Sequence, residues 1–191
     1  MRIGLYSGSF NPIHHGHVML ANYLVEFSDL DEVWFVVSPQ NPLKKKTDLM
    51  DDADRLKMVE LALEGDSRLK ASDIEFSMPQ PSYTINTLRA LSAQYPKDQF
   101  VFICGMDSLQ GFPRWREYQA ILDGYELLVF PRKGYDGGEL LHHHHVKVLE
   151  TPVIEVSSTF IRNSMKEGKD VRHFMPEKAY CYLVENNLLH P

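Results

Sequence analysis

Three of the nine histidines fall within four residues of one another, in the stretch GSFNPIHHGH at residues 8–17. The stretch follows a short apolar segment, so a Gly-Ser turn comes directly after a predicted strand. Gly8 and Ser9 carry little side-chain bulk and allow backbone N–H groups to approach a phosphate closely. His14 and His17 are three residues apart, so at the start of a helix both imidazoles project from one face and could donate to phosphate oxygens. The stretch therefore predicts a phosphate site.

A second group of polar residues lies near the other end of the chain, in VSSTFIR at residues 156–162. Ser157, Ser158 and Thr159 are suited to open a helix, where hydroxyls and free backbone N–H groups form an anion site. Arg162, one turn further on, adds a fixed cation that can contact phosphate in a bidentate manner. This segment predicts a second half of the same phosphate site.

The elements that position these residues alternate between short apolar strands and amphipathic helices, a pattern typical of βαβ units. The predicted strands span residues 2–7, 32–38, 99–105 and 126–131, with a short one near 153–156, and the predicted helices span 15–27, 52–65, 83–95, 158–167 and 176–187. We therefore expect a Rossmann-like, doubly wound α/β fold whose mostly parallel sheet carries helices on both faces and a small C-terminal helical segment. In such sheets ligands bind at the carboxyl ends of the strands, where the strand order reverses.

Length and composition limit the class of protein. The 191 residues predict one domain over residues 1–191, with 43% hydrophobic and 24% charged residues as in ordinary globular proteins. The net charge of −6 argues against a nucleic-acid binder. Because no run of about 18 apolar residues and no signal-peptide pattern is present, we expect a cytoplasmic protein without a membrane partner. Cys104 and Cys181 lie in apolar segments and are predicted to be buried free thiols.

The sequence excludes two well-known phosphate loops and disfavours a metal site. The sequence contains no G-x-x-x-x-G-K-[ST] and no G-x-G-x-x-G after the first strand, so neither a P-loop nor the dinucleotide fingerprint is present. The run HHHH at residues 142–145 is predicted to be an exposed loop between strands, because it lacks further ligands. A metal-binding protein that uses this run is the alternative, and it predicts stoichiometric zinc.

The two motifs together resemble a known superfamily. GSFNPIHHGH resembles the G-[GST]-[ST]-F-[DN]-P-x-H-x-G-H signature of the nucleotidylyltransferases, and VSSTFIR resembles their I-S-S-T-x-I-R signature, in the expected order and about 140 residues apart. Within the superfamily, the chain resembles the bacterial nicotinate-nucleotide adenylyltransferases over nearly its whole length. The further matching stretches are SPQNPLKKK at 38–46, PSYTINTLR at 81–89, GMDSLQGFPRW at 105–115 and the tail at 171–188.

This resemblance implies transfer of AMP from ATP to nicotinate mononucleotide, with Mg²⁺ accompanying ATP and coordinated mainly by phosphate oxygens and water. It implies that the catalytic residues are His14, His17, Lys44 and Arg162, which neutralise charge on the α-phosphate and the departing pyrophosphate. The implied ATP-binding residues are Gly8, Ser9, Phe10, Gly105, Asp107, Ser158 and Thr159. The implied nicotinate-nucleotide-binding residues are Thr84, Trp115 and Arg116.

The resemblance also implies how individual side chains contact the acceptor, and the sequence departs from the family pattern at two positions. Trp115 would stack on the pyridine ring, although a partly buried core aromatic is the alternative, and Thr84 with nearby N–H groups would receive the carboxylate. His15 is a bystander. Asn11 stands where many relatives have aspartate, and Leu43 stands where the family usually has histidine, which removes those side-chain contacts.

Other functions stay open from the sequence. The acceptor could be nicotinamide mononucleotide or phosphopantetheine, or the enzyme could be a cytidylyltransferase. A non-catalytic nucleotide-binding protein with the same fold is a further alternative. A homo-oligomer is also left open.

Overall fold

A six-stranded sheet forms the centre of the molecule. The computed structural model describes residues 1–39 and 49–189. Its strands are β1 (Arg2–Gly8), β2 (Glu32–Val37), β3 (Leu69–Ser72), β4 (Gln99–Gly105), β5 (Glu126–Phe130) and β6 (Val146–Val148). Their order is β3-β2-β1-β4-β5-β6, and each neighbouring pair is parallel. This is the doubly wound Rossmann order with its switch point between β1 and β4, so the predicted fold class is confirmed.

Helices cover both faces of the sheet. Among the described residues they are α1 (His15–Phe27), α2 (Asp52–Leu63), α3 (Thr84–Gln94), α4 (Met106–Gly111), α5 (Tyr118–Gly124), α6 (Ser158–Lys166) and α7 (Glu177–Glu185). Residues from α1, α2, α6 and α7 share one buried cluster, and residues from α3, α4 and α5 share the other. The C-terminal segment is helical as predicted, and α7 is tied to α2 by a Tyr182 hydroxyl that donates to Asp54 at 2.8 Å.

The central strands are buried on both faces because apolar residues occupy neighbouring positions in the middle of each strand. In β1, Ile3 and Leu5 belong to one cluster while Tyr6 belongs to the other. In β2, Val33 and Phe35 pack on the opposite face from Val36. Side chains of successive strand residues point to opposite faces, so a continuous apolar run produces two cores rather than one.

The sequence predictions were wrong in a few elements. The strand predicted near 153–156 does not form, and that segment is irregular, with Val153 55% exposed. The sheet ends instead at β6, whose three residues include Lys147 and carry too little apolar pattern to predict a strand. The strand β3 was also missed, because its four residues hold only two apolar side chains, Leu69 and Ala71. The helices α4 and α5 were missed because six or seven residues are too few to show helical periodicity.

The two cysteines, both predicted to be buried, differ in the structure. Cys104 is buried as predicted, but Cys181 is exposed, because α7 turns Ala179 and Leu183 toward the core and leaves Cys181 on its outer side.

The histidine run at 142–145 lies in the connection between β5 and β6. Within residues 1–39 and 49–189 no cluster of three His, Cys, Asp or Glu side chains could hold a metal ion. None of the helices in the same residues is long and apolar enough to cross a membrane.

One fully buried arginine joins three segments at the carboxyl edge of the sheet. Arg55 of α2 donates from Nη1 to the carbonyl oxygens of Ser9, at 2.6 Å, and Ser38, at 2.9 Å. Its Nε donates to the carbonyl of Met50 at 3.0 Å, and its Nη2 pairs with Asp52 at 2.5 Å. Since buried carbonyl groups need donors, this guanidinium fixes the Gly-Ser turn relative to the end of β2 and the start of α2.

Replacing Arg55 tests how much its buried guanidinium contributes to the stability of the fold. In Arg55→Met, whose side chain keeps an apolar stem but no donors, the carbonyls of Ser9, Ser38 and Met50 lose their partner, so we expect the free energy of unfolding to fall by roughly 3 kcal/mol or more. Urea denaturation followed by circular dichroism measures this loss. The matched control is Arg68→Met, which breaks surface ion pairs to Glu26 and Asp66 and should change stability far less. Equal losses in the two variants would contradict the prediction.

Candidate active site

A cleft of about 670 Å³ opens at the carboxyl ends of β1 and β4, where the strand order reverses. This volume lies in the range of ligand-binding cavities. The predicted site residues that line it are Gly8, Ser9, Phe10, His14, His17, Thr84, Gly105, Asp107, Trp115, Arg116, Ser158, Thr159 and Arg162. Lys44, and Leu43 beside it, lie outside the described residues. The structure therefore brings together every predicted site residue that it describes, and their individual roles stay predictions.

The turn after β1 is shaped by an aromatic side chain. Phe10 is 2% exposed and has a φ of +43°, a left-handed backbone conformation that bulky residues rarely adopt. Its ring packs edge-on against Tyr6, at 5.6 Å between centroids, and against His17, at 5.1 Å. A Cβ atom at Gly8 would lie 3.0 Å from the Phe10 ring. The missing side chain at Gly8 therefore makes room for Phe10, a role that the sequence did not predict.

The two histidines of the motif form a stacked pair at the start of α1. Their ring centroids are 3.6 Å apart and inclined by 23°. The backbone N–H of His14 donates to Nδ1 of His17 at 3.2 Å, which assigns the proton of a neutral His17 to Nε2. A Cβ at Gly16 would lie 3.0 Å from Nδ1 of His14, so the glycine between the histidines leaves space for the His14 ring.

Burial keeps both imidazoles neutral in the ligand-free protein. It lowers the pKa of His14 to about 4, with the charges of Arg132 and His15 adding to the effect. Burial also lowers the pKa of His17 well below its usual value, helped by His14 and Arg132. Nδ1 of His14 is buried and has no hydrogen-bond partner in the part of the chain that the structure describes. Such a group is costly unless a ligand or water satisfies it, so the pair is suited to donate hydrogen bonds to a bound anion.

The second motif is fastened directly to the first. The hydroxyl of Ser157 accepts from the backbone N–H of Phe160 at 3.1 Å and caps α6, as its sequence predicts. The Ser158 hydroxyl donates to the carbonyl of Pro12 at 2.8 Å, and Nη1 of Arg162 donates to the carbonyl of Asn11 at 2.7 Å. Two segments about 145 residues apart in sequence thus form one wall of the cleft. The helix N-terminus and its arginine both face the space beside the histidine pair.

Two arginines in the cleft were missed by the sequence reasoning. Arg132 follows β5 and lies 3.5 Å from the carboxylate of Asp107, and Arg114 precedes Trp115. A Cβ at Gly105 would collide with Asp107, so this glycine allows the carboxylate to lie against the end of β4. The position of Arg132 directly after a buried strand was a signal, because ligands gather at the carboxyl ends of parallel strands.

The other side of the cleft holds the aromatic residue. Trp115 is half-buried and packs on Phe102 at 5.8 Å and on Phe112 at 4.9 Å between centroids, while its side chain also lines the cleft. It is thus both a core aromatic and a cleft residue. The guanidinium of Arg116 lies over the Tyr83 ring at 4.8 Å. This pair borders the N-terminus of α3, whose first residue is Thr84.

The fold and the cleft together define a nucleotide-binding α/β protein of the nucleotidylyltransferase class. The chain belongs to the cytidylyltransferase-like family, whose sequence profile matches residues 5–164. Within it, the chain is a member of the nicotinate-nucleotide adenylyltransferases, as its sequence predicts. It is 49% identical over 189 residues to a protein named "probable nicotinate-nucleotide adenylyltransferase" from Flavobacterium johnsoniae, covering 98% of both chains. A Bacteroides fragilis protein of the same name is 46% identical and covers 96% of this chain and 92% of its own.

Solved structures agree on the fold. A Plasmodium falciparum nicotinic acid mononucleotide adenylyltransferase complexed with NaAD superposes with a TM-score of 0.83 at 20% identity, over 98% of this chain and 97% of that one. The same protein complexed with APC gives a TM-score of 0.82 at 19% identity, over 98% and 96% of the two chains.

The buried histidine pair predicts a loss of stability in acid. The pKa of His14 is about 4 in the folded protein and 6.5 without the fold, so the unfolded chain binds a proton first as the pH falls through this window. We expect His14 alone to remove about 2 kcal/mol of unfolding free energy between pH 7 and pH 4.5. Urea titrations of the ligand-free protein measure it. The loss should shrink in His14→Gln and persist in His15→Gln; identical pH dependence in both variants would contradict the prediction.

Proposed function

We propose that this chain transfers AMP from ATP to nicotinate mononucleotide, producing nicotinate adenine dinucleotide and pyrophosphate, with residues 1–191 acting as one nucleotidylyltransferase domain. An oxygen of the acceptor's 5′-phosphate attacks the α-phosphorus of ATP. A new P–O bond forms, and the bond from the α-phosphorus to the bridging oxygen breaks as pyrophosphate leaves. The attacking atom belongs to the substrate, so the protein supplies alignment and charge neutralisation rather than a nucleophile.

The observation that carries this proposal is the joining of two phosphate motifs in a cleft that also contains an aromatic ring. The hydrogen bond from Arg162 to the carbonyl of Asn11 unites the motifs. Trp115 lines the same cleft. A phosphate-transfer site beside a flat, half-buried indole suits an acceptor that carries both a phosphate and a planar ring.

The donor half-site consists of the stacked histidines, the turn after β1 and the start of α6. We assign the α-phosphate to His14 and His17, whose neutral imidazoles offer N–H groups in a partly buried setting where hydrogen bonds are strong. Arg162 and Lys44 neutralise the departing pyrophosphate. The N-terminus of α6, with its partial positive charge, receives phosphate oxygens. The other residues that we assign to the donor half-site are Gly8, Ser9, Phe10, Gly105, Asp107, Ser158 and Thr159.

The acceptor half-site consists of Thr84, Trp115 and Arg116. The indole of Trp115 stacks on the pyridine ring, and the hydroxyl of Thr84 with the first N–H groups of α3 binds the carboxylate. Arg116 adds positive charge near that carboxylate, which favours the acid over the amide mononucleotide. Arg132 joins the charged residues of the cleft, because it lies close enough to lower the pKa of both histidines.

Mg²⁺ would enter this site with ATP. The residues described in the cleft lack a group of three carboxylate, histidine or cysteine ligands, which fits an ion held mainly by phosphate oxygens and water. When bound, the ion supplies positive charge to the triphosphate. Asp107 is the carboxylate in the cleft that is paired with an arginine and 38% exposed, so it could contact a water of the ion's shell.

An acceptor panel tests the reaction. Purified protein with ATP and Mg²⁺ is given nicotinate mononucleotide, nicotinamide mononucleotide or phosphopantetheine in turn, and CTP replaces ATP in a parallel series. Pyrophosphate release should be fastest with ATP and nicotinate mononucleotide. Turnover with phosphopantetheine or CTP, and none with nicotinate mononucleotide, would refute the assignment. Binding of ATP without turnover on any acceptor would favour a non-catalytic nucleotide-binding protein.

Replacing one histidine tests the catalytic assignment. In His17→Ala we expect kcat to fall about a hundredfold, near 3 kcal/mol, because a donor aimed at the reacting phosphate is lost. The matched control is His15→Ala, two residues earlier, which should retain normal turnover. Steady-state pyrophosphate release measures both. Unchanged turnover in His17→Ala would remove this residue from the mechanism.

A further inference from the structure

A buried carboxylate borders the acceptor side of the cleft, in a segment to which the sequence assigned no function. Glu75 belongs to the short 3₁₀ turn Ile74–Ser77 and is 4% exposed. One of its oxygens accepts from the Ser82 hydroxyl at 2.6 Å, and the other accepts from the Thr87 hydroxyl at 2.8 Å. Both hydroxyl-bearing residues are themselves buried. Glu75 thus joins the segment before α3 to the first turns of that helix.

The segment held in this way leads directly into the predicted acceptor contacts. Ser82 is followed by Tyr83, the N-cap of α3, and by Thr84, its first residue. Gln80 reinforces the link, because its Nε2 donates to the backbone carbonyl of Glu75 at 2.8 Å while its Oε1 accepts from the N–H of Ser82 at 3.3 Å. A short run of hydrogen-bonded residues therefore links Glu75 to the start of α3.

The N-terminus of α3 depends on this support, since no capping side chain holds it. In the described structure Tyr83 makes no side-chain cap bond to α3, and its ring instead lies under the guanidinium of Arg116. Without a cap, the direction of the first N–H groups is set by the backbone that precedes the helix. The carboxylate of Glu75 fixes that backbone through Ser82 and fixes the helix through Thr87.

The same arrangement resolves a problem of charge. Glu75 lines the cleft, and an exposed carboxylate there would repel the anionic acceptor. Because each of its oxygens accepts a hydrogen bond from a buried hydroxyl, the carboxylate points into the protein, toward these donors. We propose that Glu75 is a positioning residue for the acceptor, holding Ser82 and Thr87 so that Tyr83, Thr84 and Arg116 present a preformed site. This inference rests on the proposed function and deepens its acceptor half.

The test separates acceptor binding from donor binding. In Glu75→Leu, both hydroxyls lose their partner and we expect the KM for nicotinate mononucleotide to rise roughly tenfold, with the KM for ATP and kcat at saturation within about twofold of wild type. Glu75→Gln should behave nearly as wild type, because its amide can accept from one hydroxyl and donate to the other. The matched control is Ser92→Ala, which removes the 3.2 Å hydroxyl contact to Tyr125 near the other end of α3.

A double-mutant cycle tests the route. Ser82→Ala should reproduce part of the KM change of Glu75→Leu, because it removes one of the two bonds to this carboxylate. The double variant should be no worse than Glu75→Leu alone, because the Ser82 hydroxyl acts through its bond to Glu75. Ser82→Ala also carries the test if Glu75→Leu fails to fold. Independently of activity, amide hydrogen exchange of residues 80–84 should be faster in Glu75→Leu and in Ser82→Ala, and unchanged in Ser92→Ala.

The outcomes are distinguishable. Equal rises in the KM for ATP and for the acceptor, a KM for the acceptor that stays unchanged in a folded Glu75→Leu or Ser82→Ala variant, or additive effects in the cycle would overturn the positioning role. The wild-type acceptor panel reports separately on the proposed function. If the panel selects another acceptor, the same KM comparison is made with that molecule, and the exchange measurement needs no acceptor.

Discussion

Burial of the Arg55 guanidinium is the constraint on which the side of the cleft with the histidine pair depends. Its donors bind the carbonyls of Ser9 and Ser38, so the turn after β1 and the end of β2 meet at one point. A charged group this deep is tolerated because Asp52 and several carbonyls share its hydrogen bonds. With the turn held, Phe10 can keep its left-handed backbone and the histidine pair can begin α1 at a defined place.

A second layer of contacts builds from this point. Because the carbonyls of Asn11 and Pro12 accept from Arg162 and Ser158, the C-terminal motif docks on the N-terminal one. Among the described residues, the cleft gains positive charge from arginines on different elements, in a protein whose net charge is −6. Local charge at a cleft, and not the net charge of a chain, determines whether an anionic substrate is attracted. Neutral, buried histidines beside these arginines avoid like-charge repulsion until phosphate binds.

The side of the cleft that carries Trp115 is built by different means. A buried carboxylate and two hydroxyls have the role that the guanidinium and carbonyls have on the opposite side, and an indole supported by Phe102 and Phe112 forms a flat wall. The two sides of the cleft meet at the switch point between β1 and β4. In the proposed reaction, such a division would let each substrate be held by its own set of contacts, which is what a reaction that depends on alignment requires.

The sequence alone determined the fold class and the two phosphate motifs, because continuous apolar runs and Gly-Ser-His spacing are local patterns that need no knowledge of distant residues. It failed at β3, β6, α4 and α5, which are too short for periodicity to be visible. It also missed Arg55, Glu75 and Arg132. The residues beside Arg55 and Glu75 form no recognisable motif, whereas the position of Arg132 after β5 was a signal. The contacts of all three are made with carbonyls, hydroxyls and a carboxylate that only the folded chain brings close. Tertiary structure decided these positions, since the hydrogen-bond partners of a polar side chain are set by how segments pack and not by the residues beside it in sequence.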